Sequence, residues 1–258
     1  MPSRRAFVTA ALSGAALFAL PHDVSTQGPS APRRRRVLVF DVNETMLDIN
    51  ALEPHFARGF GDGQVLREWF STLLLYSNVA SLSGAYAEFG AIAGAALDMV
   101  AAARGATLVP EHRERILSGT RALPPHADVR PALERLRREG FRLVTLTNSA
   151  PAAVEEQLKS AGLTDLFERA FSVDAVKRFK PAPEPYRYVA RELERDIGDL
   201  RMIAAHAWDV VGALQAGCLA AFVARPGKVL YPLGPKPDIV APDFRSLAEQ
   251  ILARDAEA

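Results

Sequence analysis

The first clear break in polarity along the chain lies between the arginine block Arg33 to Arg36 and the run Val37-Leu38-Val39-Phe40, which is apolar throughout and mostly β-branched or aromatic. Such a run reads as a strand buried on both faces, the pattern of a central strand in a parallel sheet. Asp41 stands where it ends, at the mouth of the crevice where open α/β sheets bind their ligands. An isolated Asp after a strand can equally cap a turn. The rest of the chain decides between the two.

After Asp48 the spacing changes from strand to helix. Residues 50–60, 64–80, 84–103 and 110–119 carry apolar positions three and four apart, broken by Gly61-Asp62-Gly63, Gly105 and Pro110, so they predict an all-helical insert directly after the first strand. Leu123-Pro124-Pro125 then acts as a stiff return. From there the pattern alternates, with helices near 128–139, 151–160, 183–194 and 208–216. Between them lie strands near 141–147, 169–173, 201–205 and 220–224, and a weaker one near 238–240. Alternation of this kind requires a parallel sheet with right-handed crossovers. The predicted fold is α/β: a Rossmann-like parallel sheet core with helices on both faces, built from residues 31–49 and 124–258, with a helical cap of residues 50–123 over the carboxyl edge of the sheet.

Composition narrows the picture little. In 258 residues, 49% are apolar and 24% charged, which is ordinary for a globular protein. Lys and Arg number 31 against 30 Asp and Glu, so the formal charge of +1 gives no global attraction to nucleic acid. The single cysteine, Cys218, excludes an internal disulfide and sits at a helix-to-strand join, where a small buried apolar role fits. Residues 1–30 have a different character. Ser3-Arg4-Arg5-Ala6-Phe7-Val8 precedes a charge-free run from Thr9 to Pro21, too short to span a bilayer and suited to a signal segment. It resembles the twin-arginine export signal of proteins that fold before crossing a membrane, although no clean Ala-x-Ala cleavage site follows. The expectation is a periplasmic protein without stable membrane association after processing, or a cytoplasmic one if the signal does not function. Residues 22–35 read as a linker.

The chemistry collects at the strand ends. The first strand ends in Asp41, the second in Thr147-Asn148-Ser149, the third is followed by Lys180, and the fourth ends in Ala204-Ala205-His206-Ala207-Trp208-Asp209. Individually these residues are caps or loop charges. Jointly they put a carboxylate, a polar cradle, a cation and a second acid on one sheet edge.

This series resembles the haloacid dehalogenase superfamily, over residues 36 to 245, and within it the L-2-haloacid dehalogenases. Superfamily phosphatases carry Asp-x-Asp and hold magnesium with acids after the fourth strand. Here Asn43 stands two after Asp41 and cannot protonate a leaving group, and Ala205 and His206 stand where metal ligands are expected. The resemblance therefore implies metal-independent chemistry with no cofactor, and the Leu66-Arg67 pair and the Ala207-Trp208-Asp209 triplet look like the dehalogenase pattern. It implies hydrolysis of short (S)-2-haloacids or haloacetates to 2-hydroxyacids. On this resemblance Asp41 is expected to be the nucleophile that forms a covalent ester, with Arg67 and Asn148 to receive the halide, Lys180 to keep Asp41 ionised, and Asp209 to hold Lys180 and help to position water. Thr45 and Thr147 are hydrogen-bonding partners for Asp41 or the substrate carboxylate, and Asn43, Tyr186 and Trp208 line the substrate site. Asn43 replaces a common family tyrosine and His206 a common asparagine; as a histidine it can act as a general base. Expected partners are a haloacid and water, with no nucleic acid, and a second copy in a homodimer. Two alternatives remain: a phosphatase or phosphonatase-like hydrolase of the same fold, and a non-catalytic binding protein.

Overall fold

The computed structural model describes residues 35–255. The predicted export signal lies outside them. The central run is a buried strand, β1 (Val37–Phe40), and five more follow: β2 (Arg142–Thr147), β3 (Arg169–Ser172), β4 (Leu200–Ala204), β5 (Leu219–Val223) and β6 (Ile239–Ala241). All pair in parallel, in the order β3-β2-β1-β4-β5-β6. Phe40, the last residue of β1, is in register with Thr145 on one side and Ile203 on the other. The chain thus runs outward from β1 in one direction and later returns to build outward from β4 in the other. The crevice at such a switch point opens between the carboxyl ends of β1 and β4, where Asp41 and His206 stand.

The insert after β1 holds four helices, as predicted: α1 (Glu53–Phe60), α2 (Val65–Ser83), α3 (Phe89–Ala103) and α4 (Pro110–Gly119). The third begins at Phe89 rather than near 84, because Gly84 ends α2 in the left-handed conformation (φ 73°) and the next residues are irregular. The exit and return of the insert are tied together. The N–H of Asp48 donates to the Pro124 carbonyl (2.8 Å) and that of His126 to the Met46 carbonyl (2.9 Å). The insert meets the sheet's carboxyl-end loops through Phe70, whose ring centroid lies 6.3 Å from that of His206, and through Tyr86, stacked 5.0 Å from Phe179. Ser81 Oγ also accepts the Phe179 N–H (2.8 Å).

The crossover helices are α5 (Val129–Arg138), α6 (Pro151–Ser160), α7 (Pro183–Glu192) and α8 (Ala207–Ala216). A final helix, α9 (Phe244–Asp255), goes beyond the predicted elements; it buries Phe244, Leu247, Ala248 and Ile251, the spacing of an amphipathic helix. α5 packs with α9, and α7 with α8, the two-face arrangement that right-handed crossovers running in opposite directions produce. At the far end of the sheet the buried Arg201 pairs with Asp255 (2.6 Å) and Asp238 (2.6 Å), tying α9 and the approach to β6 to β4.

Candidate active site

Asp41 is held at the end of β1 by its own backbone. Its N–H donates to the Ile203 carbonyl (3.0 Å), carrying the β1–β4 pairing one residue further. The chain then curls, with the N–H groups of Met46 and Leu47 both donating to the Val42 carbonyl (2.9 and 3.1 Å). This curl brings Thr45 back to Asp41. The Thr45 hydroxyl donates to Asp41 Oδ2 (2.6 Å) and accepts the N–H of Ala205 (2.9 Å), joining the first turn to the end of β4.

Lys180 arrives from the loop after β3 and is 1% exposed. Its three ammonium protons go to Asp41 Oδ1 (2.9 Å), the Leu146 carbonyl (2.8 Å) and Asp209 Oδ2 (2.7 Å). Its backbone N–H donates to Asn148 Oδ1 (3.1 Å), so the cradle after β2 fixes the lysine loop. The Tyr186 hydroxyl donates to Asp209 Oδ1 (2.6 Å). A close approach of α7 to α8 makes that possible: a Cβ on Gly212 would lie 2.7 Å from the Tyr186 hydroxyl oxygen and 2.5 Å from Pro181 Cβ. Only glycine fits there without displacement.

Burial alone would push the Asp41 carboxyl up, but Lys180, His206 and Thr45 outweigh it and hold the group well below the usual carboxylate range. Lys180 is disfavoured by burial, yet its two carboxylate partners, Asp209 and Asp41, raise its pKa. One ammonium serves two buried carboxylates, so Asp209, fully buried and facing the charge of Asp41, is the one pushed upward. The resting site therefore presents an ionised, fully hydrogen-bonded Asp41.

His206 sits in the switch-point crevice between two carboxylates. Nδ1 is 3.1 Å from Asp41 Oδ2, and Nε2 is 2.7 Å from Glu44 Oε2. Its ring stacks on Trp208 at 4.9 Å between centroids. Burial opposes its charge, but hydrogen bonds to Asp41 and Glu44 and their charges push its pKa up to about 9. It is thus an imidazolium at neutral pH, with both nitrogens donating. Glu44 is itself held below the usual range by His206 and by Lys228, whose Nζ lies 2.6 Å from Oε1, and these partners overcome the effect of burial. Its backbone is left-handed (φ 60°), a conformation that costs a non-glycine residue about 1–2 kcal/mol. Glu44 and Lys228 escape the sequence reading, as does Arg225, which grips the Thr45 carbonyl. Glu44 lies three residues after Asp41, where its acidity was the only available signal; Lys228 and Arg225 are distant in the chain and carry none.

The remaining predicted residues are distributed unequally. Trp208 covers His206, and its ring centroid lies 5.9 Å from Lys180 Nζ. Asn43 is a cross-link: its amide donates to Ser149 Oγ (3.3 Å) and its oxygen accepts from Gln157 (3.0 Å). Thr147 makes no hydrogen bond to Asp41, which leaves the substrate carboxylate as its expected partner; its hydroxyl accepts the Ser149 N–H (3.2 Å) and shapes the loop before α6. Asp209 has both oxygens engaged and is fully buried, so it serves Lys180 and Tyr186. Arg67 is exposed on α2, and its side chain makes no ion pair or hydrogen bond among the described residues. It lines a cleft of about 1010 Å³ together with Glu44, Phe70, His126, Arg225 and Lys228. A second cleft of about 750 Å³ is lined by Asn43, Trp69, Phe70, Leu73, Phe89 and Ser149. Phe70 belongs to both walls, and Asp41, 4% exposed, to neither. Among the described residues no three His, Cys, Asp or Glu side chains group as metal ligands; the gap between Asp41 and Asp209 is filled by the Lys180 ammonium.

A parallel sheet with this strand order, a carboxylate at the end of β1 and a lysine bridging it to a second carboxylate define a hydrolase of a particular class. The sequence profile of haloacid dehalogenase-like hydrolases matches residues 36–217, and the chain belongs to that family. It is 27% identical over 214 residues to the (S)-2-haloacid dehalogenase of Pseudomonas sp. (strain YL), covering 82% of this chain and 92% of that protein. It is 26% identical to haloacetate dehalogenase H-2 of Moraxella sp. (strain B), over 85% of this chain and 99% of that protein. The solved structure of the L-2-haloacid dehalogenase from Xanthobacter autotrophicus with chloropropionic acid covalently bound superposes with a TM-score of 0.79 at 25% identity, covering 86% of this chain and 99% of that one.

Proposed function

We propose that this protein hydrolyses the carbon–halogen bond of short (S)-2-haloacids or haloacetates to give 2-hydroxyacids, through an ester on Asp41. The observation that carries the reading is the state of Asp41: a buried carboxylate kept ionised by Lys180, His206 and Thr45, in a site whose position two residues on is Asn43, tied to Ser149 and Gln157. Such a carboxylate is prepared to attack carbon.

In the first step an Asp41 oxygen displaces halide in line, forming the C–O bond as the carbon–halogen bond breaks and inverting the carbon. The Asn148 amide and Arg67, carried by the helical cap formed by residues 50–123, meet the departing halide. In the second step water attacks the carboxyl carbon of the ester, so the C–O bond to the substrate carbon survives and the inversion is kept. Oδ1 is served by Lys180 and Oδ2 by Thr45 and His206. Whichever oxygen attacks, the other keeps a donor for the charge of the tetrahedral intermediate. Esterification also removes the negative charge of Asp41, one of the two causes of His206's raised pKa. The imidazole then releases its proton to solvent more readily, takes one from the attacking water, and gives it to the alkoxide oxygen as the acyl C–O bond of the tetrahedral intermediate breaks; the Asp41 carboxyl that results returns its proton to His206. Asp209, engaged on both oxygens, keeps Lys180 aimed.

The test is halide release from (S)-2-chloropropionate by the purified protein in EDTA, beside phosphate release from p-nitrophenyl phosphate with magnesium. Halide release without added metal is the expected result. Magnesium-dependent phosphate release with no halide would put the phosphatase reading in its place, and inactivity towards the whole 2-haloacid series would favour the binding-protein reading. The Arg4-Arg5 segment supports export to the periplasm, which fractionation of expressing cells would test; retention in the cytoplasm would show the signal to be inactive. The exposed stripe Leu75, Val79 and Leu82 on α2 (58, 43 and 88% exposed) supports a homodimer, testable by light scattering.

A further inference from the structure

The segment after β5 closes into a tight turn. The N–H of Lys228 donates to the Arg225 carbonyl (2.8 Å) across Pro226 and Gly227, and Gly227 has φ 78°, the arrangement that favours proline and then glycine at the two central positions. Side chains at the two ends of this turn reach consecutive residues of the turn after β1. Arg225, buried at 8% exposure, donates from Nε and Nη2 to the Thr45 carbonyl (3.2 and 3.1 Å) and from Nη1 to Asp128 Oδ2 (2.8 Å). Asp128 Oδ2 also accepts the Phe244 N–H (2.8 Å), so this grip is anchored on α9. Lys228 holds Glu44 Oε1 at 2.6 Å.

We propose that the turn from Arg225 to Lys228 supports the active site from behind: Arg225 sets Thr45 against Asp41, and Lys228, sharing the Glu44 carboxylate with His206, sets how much of its charge reaches the imidazole. Glu44 is left-handed, and a non-glycine residue persists in that conformation when its surroundings over-determine it. Here two charged partners do so, one on each carboxylate oxygen. The groups that face His206 are Asp41 and Glu44 directly, with Phe70 and Trp208 covering the ring. Behind them stand Lys180 on Asp41, Lys228 on Glu44, and Asp48, Glu53, Arg67, His126, Asp128 and Arg225 around the cleft that Glu44 lines. Lys228 is the cation that shares the Glu44 carboxylate with His206. Its removal leaves the whole carboxylate charge to the imidazolium.

The kinetic part rests on the dehalogenase reading, so the experiment pairs it with a measurement that does not. In full-length protein with labelled histidine, the ring signal of His206, assigned with His206→Asn, is titrated by NMR for wild type, Lys228→Gln, Lys228→Arg and Glu44→Gln. Lys228→Gln is expected to move the His206 titration to higher pH and Glu44→Gln to lower pH, while Lys228→Arg stays near wild type. A purely structural role does not give shifts of opposite sign. With (S)-2-chloropropionate, Lys228→Gln is expected to lower kcat roughly tenfold, the order for a lost hydrogen bond between charged groups, with KM changed less and activity restored in Lys228→Arg. Arg225→Lys keeps the charge but loses the two-nitrogen grip; it is expected to lower kcat without moving the His206 titration. An unshifted His206 titration in Lys228→Gln overturns the Lys228 assignment, and unchanged kcat in Arg225→Lys overturns that of Arg225. If the wild type releases no halide, the dehalogenase reading fails separately and the titrations alone decide the Lys228 assignment.

Discussion

Lys180 Nζ lies 2.9 Å from Asp41 Oδ1, and the two side chains are 0 and 6% exposed. The ammonium is at once the electrostatic partner of the nucleophile and the filling of a gap between two buried acids. Replacing it by methionine, close in length but uncharged, is expected to leave Asp41 and Asp209 facing each other without compensation. The cost of breaking such a buried pair is about 3–5 kcal/mol. Lys180→Met should therefore lose turnover of a 2-haloacid and also unfold at lower urea, and a variant with wild-type stability would show that the pair is not coupled as described.

His206 gives the protein a pH-dependent stability. Its folded pKa, about 9, lies above the ordinary value of 6.5, so its contribution is fully present below pH 6.5 and is lost as pH rises from there to about 9. The amount is on the order of 3 kcal/mol. Urea unfolding at pH 6, 7.5 and 9 should show stability falling across this window in the wild type and a flatter profile in His206→Asn. Equal slopes in the two proteins would mean that His206 is not charged in the folded state.

Tyr186 acts on the reaction through Asp209. Tyr186→Phe removes the hydroxyl that satisfies Asp209 Oδ1 in a fully buried setting, a loss of about 1–3 kcal/mol. The variant should be less stable and lose kcat with little effect on KM, since Tyr186 does not line either cleft. Gly212→Ala is expected to produce the same kinetic defect sterically, by pushing on the Tyr186 hydroxyl and Pro181.

Arg67 lies on an exposed helical face without a partner among the described residues. Its replacement by alanine should leave the melting temperature unchanged. As a donor to the departing halide its loss should lower turnover on the order of a hundredfold or more, as for loss of a preorganised donor to developing charge. Retained activity would remove Arg67 from the mechanism.

Much of this was legible along the chain, because β1, the insert helices and the alternation after residue 128 are local patterns of burial, and backbone hydrogen bonding turns each period into one kind of element. Asp41, Lys180 and Asp209 could be read as one site for a similar reason: parallel strands put their carboxyl ends on one edge, so residues at strand ends converge whatever their separation in sequence. Thr45 could be placed near Asp41 by proximity alone. What the sequence could not specify was direction. Thr147 and Asn148 stand at the predicted strand end, but a local hydrogen bond turns the Thr147 hydroxyl to Ser149 and a long-range one turns the Asn148 oxygen to Lys180. The pairing of His206 with Glu44, and of Glu44 with Lys228 across 184 positions, follows from strand order and from a left-handed residue, neither of which leaves a periodic trace. Which chemical groups reach the sheet edge is written along the chain. Which of them touch is settled by folding, because contact there depends on the packing of segments far apart in the chain.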